Sequence, residues 1–384
     1  MSRVALKLVE NHTPVLEENG EFWSSDKNDY HSLHFGVTYP RSFKPGLAQY
    51  FLRKYTNLGD VVCDPFCGRG TVALEAALMG RYVVASDVSL VAEAITKAKI
   101  APAELAEIVL GLQQCDLKKP VSLNSYTDCF SQFFEIETYR ELLSLREYLR
   151  GKNDPITRFI TYITLGILHG HTSGYLSSYT LPQISISPSA QKELNNKRHK
   201  GAEYRAILPR ILRKASSLLR DGELNSLNSL ANSHIVNRAD ARDLFFISDG
   251  SIDAIITSPP APGESHGSSM WLKEWFLGER ESFDPQQQTE SYQTINEWNL
   301  LMKGTLEEGA RVLRSGGRCI LEIKEPNHEA FEALVKRNFD SFFDIECKVT
   351  NKPSMSSRSQ NVIRAKSAIK LVAPEQKIIV LRRR

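Results

Sequence analysis

The stretch Val61-Val62-Cys63-Asp64-Pro65-Phe66-Cys67-Gly68-Arg69-Gly70-Thr71 decides the fold of this chain. Its first three residues are apolar and typical of a short buried strand. The run from Thr71 to Met79 has the pattern of a helix that ends at Gly80. Tyr82 to Ala85 follows as a second strand. Strand, glycine-rich turn, helix and strand form a βαβ unit, which predicts a parallel sheet.

The turn inside this stretch is a candidate ligand site. Gly68 and Gly70 let the backbone approach a ligand closely where a helix begins. Asp87 ends the next strand, and an acid at that place can accept both hydroxyls of a ribose. The alternative is a structural turn beside a surface carboxylate. The combination favours a nucleotide-like or charged ligand at the carboxyl ends of the strands.

A second motif, Thr257-Ser258-Pro259-Pro260-Ala261, follows the apolar run from Ile252 to Ile256 and therefore lies where a buried strand ends. Proline fixes φ and removes an N–H donor, which leaves carbonyl groups available to a ligand. A site rich in acceptors and poor in donors suits a substrate amino group. Taken alone, the motif is equally compatible with a plain strand-ending turn.

The rest of the chain predicts an α/β fold, a doubly wound Rossmann-like sheet interrupted by helices. Helices are predicted over 46–57, 135–150, 156–169, 205–220 and 294–314, and strands over 234–237, 252–256 and 318–323. Gly316-Gly317 is expected to separate the last helix from its strand, and 342–349 with 377–382 to form a closing antiparallel pair. We divide the chain into an N-terminal extension (1–34), an α/β catalytic domain (35–100 and 230–384) and a helical insertion (101–229).

Composition narrows the class of protein. The chain has 384 residues, a net charge of +3 and six cysteines without a CxxC pair, which favours reduced thiols over a disulfide or zinc framework. No apolar run reaches the roughly 18 residues of a membrane span, and no secretory signal is visible at the N-terminus. These features predict a cytoplasmic protein without membrane attachment and without a bound metal.

Asp64-Pro65-Phe66-x-Gly68-x-Gly70-Thr71 resembles the cofactor loop of S-adenosylmethionine-dependent amino-DNA methyltransferases, which modify N4 of cytosine or N6 of adenine. Thr257-Ser258-Pro259-Pro260 resembles their catalytic motif, and Tyr39 to Pro45 is similar to their cofactor-contacting segment. The resemblance covers about 35–100 and 235–325, and Leu165 to Pro188 is loosely similar to a helical insertion in one bacterial subgroup. It implies a bacterial class I methyltransferase with a sheet of seven mostly parallel strands and an antiparallel closing strand.

The resemblance also implies roles for matched residues. Ser258 Oγ and the Pro259 carbonyl would accept the N–H groups of the target amine. With Thr257 and Pro260 they form the expected catalytic motif. Asp240 would lie near the adenine of the cofactor, although a surface turn acid is almost as good an interpretation. The full set expected to bind S-adenosylmethionine, and its product S-adenosylhomocysteine, is Tyr39, Ser42, Phe43, Asp64, Pro65, Phe66, Gly68, Gly70, Thr71, Asp87, Asp240 and Ala241.

Ala261 departs from the family pattern, which usually has an aromatic residue after Pro-Pro to stack on the flipped base. Three explanations remain open. Another aromatic side chain fills the gap, the residue is an engineered substitution, or the chain is a natural pseudo-enzyme. The candidate replacement aromatics are Tyr175, Tyr179, Trp271 and Trp275.

Two basic stretches are candidate nucleic-acid surfaces. Residues 192–220 contain nine Lys or Arg against two Glu, and a second stretch runs from Lys348 to Lys370. A solvated helix face is the alternative for each. The residues expected to contact nucleic acid are Tyr179, Lys197, Arg198, Lys200, Arg205, Ala261 and Arg358. Side chains of the insertion that could reach base edges are His169, His171, Ser177, Ser178, Tyr179 and Gln183, although the two histidines fit loop or core positions equally well.

The sequence therefore predicts a site-specific DNA methyltransferase that acts on double-stranded DNA as a monomer or dimer, with a cognate restriction endonuclease as a candidate partner. Ser258 favours cytosine N4, since the adenine enzymes more often carry Asp or Asn at this position. An RNA amino-methyltransferase and a catalytically weakened protein that binds cofactor and nucleic acid are the alternatives.

Overall fold

A computed structural model describes residues 15–23, 29–40, 43–181, 185–262, 270–284, 286, 294–324, 326–352 and 375–384. Eight strands form one sheet in the order β1-β7-β8-β6-β5-β2-β3-β4. Strand β8 is antiparallel to both of its neighbours, and every other pairing is parallel. The strands are β1 (Leu16–Gly20), β2 (Val61–Asp64), β3 (Tyr82–Asp87), β4 (Ile235–Arg238), β5 (Ile252–Thr257), β6 (Leu313–Glu322), β7 (Phe343–Asn351) and β8 (Gln376–Arg383).

Twelve α-helices accompany the sheet in the described part of the chain. They are α1 (Pro45–Tyr55), α2 (Thr71–Leu78), α3 (Leu90–Ile100), α4 (Leu105–Gln113), α5 (Ile136–Leu149), α6 (Pro155–Ile167), α7 (Pro188–Arg198), α8 (Ile207–Leu218), α9 (Leu224–Leu230), α10 (Trp271–Leu277), α11 (Ile295–Val312) and α12 (His328–Asn338). Within the described ranges, no helix is both long and apolar enough to cross a membrane.

Side chains alternate between the two faces of the sheet, as the strand repeat of two requires. Val62 and Ile256 pack into the core that contains α1, α2, α3 and the helices of the insertion. Cys63 and Ile255 point the other way, into the core beneath α11 and α12. All six cysteines are buried and free, which confirms the prediction of reduced thiols.

The predicted α/β class, the parallel βαβ unit and the closing antiparallel pair are confirmed. The prediction of seven strands is wrong, because the N-terminal extension supplies an eighth. Strand β1 pairs in parallel with β7 and extends the edge of the sheet. Two hydrogen bonds fix the turn that follows β1. Phe22 N–H donates to Asn351 Oδ1 of β7 at 2.8 Å, and Trp23 Nε1 donates to Gln376 Oε1 of β8 at 2.8 Å.

Gly316-Gly317 does not separate a helix from a strand as predicted. Helix α11 ends at Val312 and β6 begins at the next residue, so both glycines lie inside β6. The pairing with β5 is irregular here, between Ile252 and Ala254. A Cβ atom on Gly317 would lie 2.9 Å from the carbonyl oxygen of Asp253 on β5. Glycine is therefore required by a close approach of two backbones rather than by the end of a helix.

The helical insertion shares the core of the sheet domain. Buried side chains of α5, α6 and α8, including Leu142, Ile163 and Ile211, belong to the same apolar cluster as Val62. The insertion is therefore packed against one side of the α/β domain. The domain boundaries at residues 101 and 229 stay a prediction.

Candidate active site

The two motifs meet where the direction of the sheet reverses. Strand β2 lies between β5 and β3, and all three are parallel, so their carboxyl ends share one edge. Chain order runs outward from β2 through β3 to β4 on one side and from β5 to β6 on the other. Ligands of open α/β sheets bind in the crevice at such a switch point. Asp64 and Thr257 are the last residues of the two central strands there.

The glycine loop between β2 and α2 has the backbone geometry that its sequence predicts. Gly68 and Gly70 have φ values of +49° and +68°, a region that side chains rarely allow. A Cβ atom on Gly70 would lie 2.6 Å from Thr96 Oγ1 of α3. The loop can therefore turn into the helix only with glycine at this position.

A buried lysine supports the loop from below. Lys99 is 1% exposed, and its Nζ donates to the carbonyl oxygens of Arg69 at 2.8 Å and Gly70 at 3.2 Å. Burial lowers the pKa of Lys99, and the nearby Arg69 lowers it further. Lys99 therefore fixes the carbonyl side of the turn where α2 begins.

Asp87 closes the loop from the neighbouring strand. Its carboxylate accepts from Gly68 N–H at 2.9 Å and from Ser89 N–H at 2.9 Å. Burial raises the pKa of Asp87, and these backbone donors oppose the rise. The carboxylate thus fixes the turn and stands at the end of β3, the position from which an acid can reach a ribose.

A direct hydrogen bond joins the two motifs. Thr257 Oγ1 donates to Asp64 Oδ1 at 2.6 Å, and both side chains are buried. Burial raises the pKa of Asp64 to about 7, and the Asp87 charge adds to the rise, whereas the bonds from Thr257 and Phe66 N–H oppose it. The end of the glycine loop strand and the start of the Ser-Pro-Pro turn therefore form one connected site.

The Ser-Pro-Pro turn is held from the opposite face of the sheet. Trp298 of α11 is 1% exposed, and its Nε1 donates to the Pro260 carbonyl at 2.7 Å. Pro259 is buried, whereas Ser258, Pro260 and Ala261 are half-buried. Because the Pro260 carbonyl is occupied by Trp298, the acceptors at the start of the turn are the ones available to a substrate.

Replacing Trp298 with phenylalanine tests this support. An aromatic ring is kept but the N–H donor is lost, and because the Pro260 carbonyl is only half-buried, the cost is at the lower end of the range of about 1–3 kcal/mol for an unpaired polar group. We expect the rate of methyl transfer to fall about fivefold to tenfold and cofactor affinity to stay unchanged. Single-turnover kinetics and equilibrium cofactor binding measure the two effects. Equal loss of both would contradict a role in holding the turn.

The remaining predicted cofactor residues lie at or near this edge. Tyr39 is half-buried, and a Cβ atom on Gly68 would lie 3.4 Å from its ring. Pro65 is buried within the loop, and Thr71 is buried at the first position of α2. Phe66 is half-buried. Phe43 is buried before α1, whereas Ser42 lies outside the described residues.

Asp240 and Ala241 follow β4, the strand next to β3. The carboxylate of Asp240 accepts from Arg242 Nε at 2.9 Å and Nη2 at 2.6 Å, which lowers its pKa. Ala241 is buried. Asp240 thus has the ion pair of a turn acid while lying at the predicted edge, so its contact with adenine stays a prediction.

A family model with the description DNA methylase, for enzymes of the N6 and N4 type, matches residues 7–98. The match spans α1, the glycine loop and the acid that ends β3. Residues 7–98 are therefore similar to the amino-DNA methyltransferase family. This agrees with the prediction made from the two motifs, and the cofactor of the chain is S-adenosylmethionine, as that prediction implied.

A curated relative also matches part of this chain. Type II methyltransferase M.MjaII of Methanocaldococcus jannaschii is 29% identical over 129 residues, which are 33% of this chain and 24% of that protein. The chain thus spans about a quarter of the length of this curated relative.

Solved structures resemble this chain only distantly. An rRNA methyltransferase, aviRa from Streptomyces viridochromogenes, has a TM-score of 0.34 at 12% identity and covers 94% of each chain. An rRNA methylase from Streptococcus thermophilus has a TM-score of 0.33 at 10% identity and covers 89% of this chain and 98% of that chain. At these scores the likeness carries no argument about function.

The residues predicted to contact nucleic acid fall into two groups. Lys197 and Lys200 are exposed at the end of α7, and the Arg198 guanidinium lies 3.6 Å from the ring centre of Tyr179. Arg205 instead donates through Nη1 to the carbonyl oxygens of Thr172, at 3.2 Å, and Tyr175, at 2.8 Å, and also bonds the Ser177 carbonyl. Arg205 therefore fixes the loop before α7, and Arg358 lies outside the described residues.

The tryptophans proposed as replacements for the missing ring are core residues. Trp271 and Trp275 are 0% and 1% exposed and pack against Phe130. A base cannot stack on them in this arrangement. Tyr175 and Tyr179 are half-buried and remain the candidates.

His169 is a buried connector rather than a base-reading residue. Its Nδ1 bonds the Leu181 carbonyl at 3.0 Å, so Nε2 is the acceptor nitrogen of the neutral ring. Nε2 lies 3.1 Å from Ser185 Oγ and 2.8 Å from Lys273 Nζ of α10. Burial lowers the pKa of Lys273 to about 7. Trp271 Nε1 donates to the Ile186 carbonyl at 2.9 Å, which adds a second link between α10 and this loop.

Of the other side chains predicted to reach base edges, Ser177 and Ser178 are also buried, and His171 is exposed. Gln183 lies outside the described residues.

Sequence reasoning missed two residues that hold the site, Trp298 and Lys99. Neither belongs to a motif. Each acts on a backbone carbonyl of another segment, 38 residues away for Trp298 and about 30 for Lys99. A tryptophan and a lysine at core positions of helices carry no local signal of such a partner.

Proposed function

We propose that the chain transfers a methyl group from S-adenosylmethionine to an exocyclic amino group of a flipped base in DNA, with N4 of cytosine favoured over N6 of adenine. The observation that carries this proposal is the hydrogen bond from Thr257 to Asp64, which joins the glycine loop to the Ser-Pro-Pro turn. A methyl donor on the loop and an amine at the turn would then be neighbours, and proximity of this kind can supply about 7–11 kcal/mol at its upper end.

The residues of the crevice fit the cofactor. Asp87 stands at the end of β3, where one oxygen accepts from Gly68 N–H of the loop and the other from Ser89 N–H, and Gly68 has no side chain between the loop and the Tyr39 ring. Asp64 is a buried carboxyl group that would favour a positively charged neighbour. When bound, S-adenosylmethionine supplies an activated methyl group on a sulfonium.

The turn supplies what a weak amine nucleophile requires. The lone pair of an exocyclic amine is delocalised into the base, and acceptors for its N–H groups favour the pyramidal form. Ser258 Oγ and the Pro259 carbonyl would take this role just after the end of β5, and the support for it is that Trp298 engages the next carbonyl, that of Pro260. The methylated amine then loses a proton to water without a dedicated base.

Changing Ser258 to alanine tests the acceptor role. Loss of one neutral hydrogen bond costs about 0.5–1.5 kcal/mol, so we expect methyl transfer to fall up to about tenfold with no change in cofactor affinity. Because the side chain is half-buried, the variant should fold normally. Ser251 is exposed and precedes the other end of β5, so Ser251→Ala is the matched control. A wild-type rate in Ser258→Ala would count against the assignment.

Transfer of tritium from labelled cofactor tests the function itself. The substrates are unmethylated duplex DNA of mixed sequence and RNA of the same composition. We expect label in DNA, with nucleoside analysis showing N4-methylcytosine. Tritium found in RNA and not in DNA would show that RNA is the substrate. Cofactor binding without transfer to either would favour the weakened binding protein, for which Ala261 is the supporting feature. A bacterial origin, a cytoplasmic location and a partner endonuclease stay predictions.

A further inference from the structure

A second cavity, of about 240 Å³, lies outside the crevice described above. It is bounded by the first half of α3, the end of α5, the start of α6 and the end of α10. None of the residues of the glycine loop or the Ser-Pro-Pro turn lines it. Leu90, the first residue of α3 and part of the lining, follows the carboxyl end of β3 by three positions, so one wall of the cavity begins near the edge that carries the site.

The walls of this cavity carry an excess of positive charge. Five cationic side chains line it, against Glu93 as the one carboxylate in its lining. Glu93 is already paired with Lys97 at 2.6 Å. The four other cations are Arg146, Arg150, Lys152 and Arg158. Four clustered cations repel one another, so an anion between them would lower the electrostatic energy.

Two of these arginines, the buried Arg146 and the half-buried Arg158, have hydrogen-bonding capacity left over. Arg146 is 7% exposed, and burial lowers the pKa of Arg158. Among the described residues, neither Arg146 Nε nor Arg158 Nε has a hydrogen-bond partner. Arg146 has one carboxylate within reach, Glu281 at 3.4 Å, and that side chain is 82% exposed, while the charge of Asp154 acts on Arg158. Buried donors without partners are costly, and a ligand with several acceptor oxygens would satisfy them.

The chemistry of the lining narrows the ligand. Guanidinium groups bind phosphate oxygens through paired N–H donors, and lysines add point charges. Leu149, Phe276 and Leu277 supply an apolar wall beside the cations. A small inorganic ion would contact only the cationic side chains, whereas a sugar-phosphate unit would contact both the cations and the apolar wall.

We propose that this cavity is a phosphate-binding pocket that takes a backbone phosphate of the nucleic-acid strand next to the active site. The strand as source of the phosphate rests on the proposed function, whereas the phosphate site itself does not. A free phosphate or phosphomonoester has the same chemistry and is the other source.

The test uses Arg150→Gln/Lys152→Gln in the full chain. Both side chains are exposed, in the loop between α5 and α6, so their removal spares the core. Arg146 is left intact because its guanidinium packs 5.1 Å from the ring centre of Trp275. The matched control is Lys336→Gln/Arg337→Gln, which removes two exposed cations from α12 on the other face of the sheet.

Duplex DNA binding is measured against salt concentration, and inorganic phosphate binding by calorimetry at constant ionic strength. We expect Arg150→Gln/Lys152→Gln to weaken DNA binding about tenfold and to reduce the salt slope by about one, the value for one phosphate contact. The control should change DNA affinity less than twofold. Loss of phosphate binding with unchanged DNA affinity would assign the pocket to a free phosphate.

The phosphate-binding proposal would be overturned if the pocket variant and the control lost DNA affinity equally. It would also be overturned if the pocket variant lost neither DNA affinity nor phosphate affinity. Cofactor affinity is measured in parallel and should not change. Failure of the wild-type chain to methylate DNA, with phosphate binding intact, would instead count against the proposed function. The two failures are therefore distinguishable.

Discussion

Replacing Asp64 with asparagine is expected to weaken binding of S-adenosylmethionine about tenfold to a hundredfold. The carboxyl group is buried at the switch point and accepts from Thr257 Oγ1. Asparagine keeps the shape and a carbonyl acceptor but cannot become negative, so it loses the attraction to a cationic ligand. Contacts of this charged kind are worth about 1.5–3 kcal/mol. Isothermal titration with S-adenosylmethionine measures the change.

The pH dependence gives the same prediction an internal check. The pKa of Asp64 is raised to about 7 in the free protein, so the group is protonated below neutrality and charged above it. A cationic ligand binds the charged form better, so affinity should rise with pH through 7 and level off near pH 8. The charged fraction changes about tenfold between pH 6 and pH 8 for such a group. In Asp64→Asn this rise should disappear.

Asp249→Asn is the matched control, because it removes one carboxylate whose side chain is 80% exposed and lies before the other end of β5. It should leave cofactor affinity and its pH profile unchanged. Titration of the ligand itself affects all three proteins equally. A pH profile in Asp64→Asn identical to that of the wild type would show that Asp64 is not the titrating group.

Replacing Ala261 with tyrosine is expected to raise the rate of methyl transfer about tenfold or more. The position directly follows Pro-Pro and is half-buried at the mouth of the turn. Stacking of an aromatic ring on a base is worth about 1–3 kcal/mol. A ring here would hold a flipped base above the acceptors of the turn. Methyl transfer per enzyme is compared at equal concentrations of the same DNA.

Ala261→Leu separates stacking from bulk, because leucine fills a comparable volume without an aromatic face. We expect it to match the wild type or to be slower. A tyrosine variant no faster than the leucine variant would mean that another side chain already holds the base. Tyr175 and Tyr179 are then the residues to replace next.

The sequence predicted the centre of the fold well because local rules act there. An apolar run, two glycines and a helix start at Thr71 are contiguous, and their order leaves few arrangements in a parallel sheet. The position of Asp87 followed from the same rule. Asp64 and Thr257, 193 residues apart, meet because the carboxyl ends of adjacent parallel strands share an edge.

What could not be predicted depends on partners distant in sequence. The sequence predicts Arg205 to be a surface cation that contacts nucleic acid. In the structure its guanidinium bonds carbonyl groups of a loop about 30 residues earlier. Gly316-Gly317 looked like a helix end because glycine commonly ends helices, whereas the approach of β5 sets its role. Strand β1 lies in a polar segment whose pairing with β7 has no signature of its own.

The links from α10 to the loop that contains His169 have a consequence for exchanging specificity between related enzymes. Lys273 of α10 bonds His169, and Trp271 bonds the Ile186 carbonyl, so the helix after the Ser-Pro-Pro turn and the insertion depend on each other's side chains. A chimera that imports only residues 101–229 of a relative would leave Lys273 buried without its acceptor. Transplanting α10 together with the insertion keeps the pair intact, and such paired grafts should fold where single grafts do not.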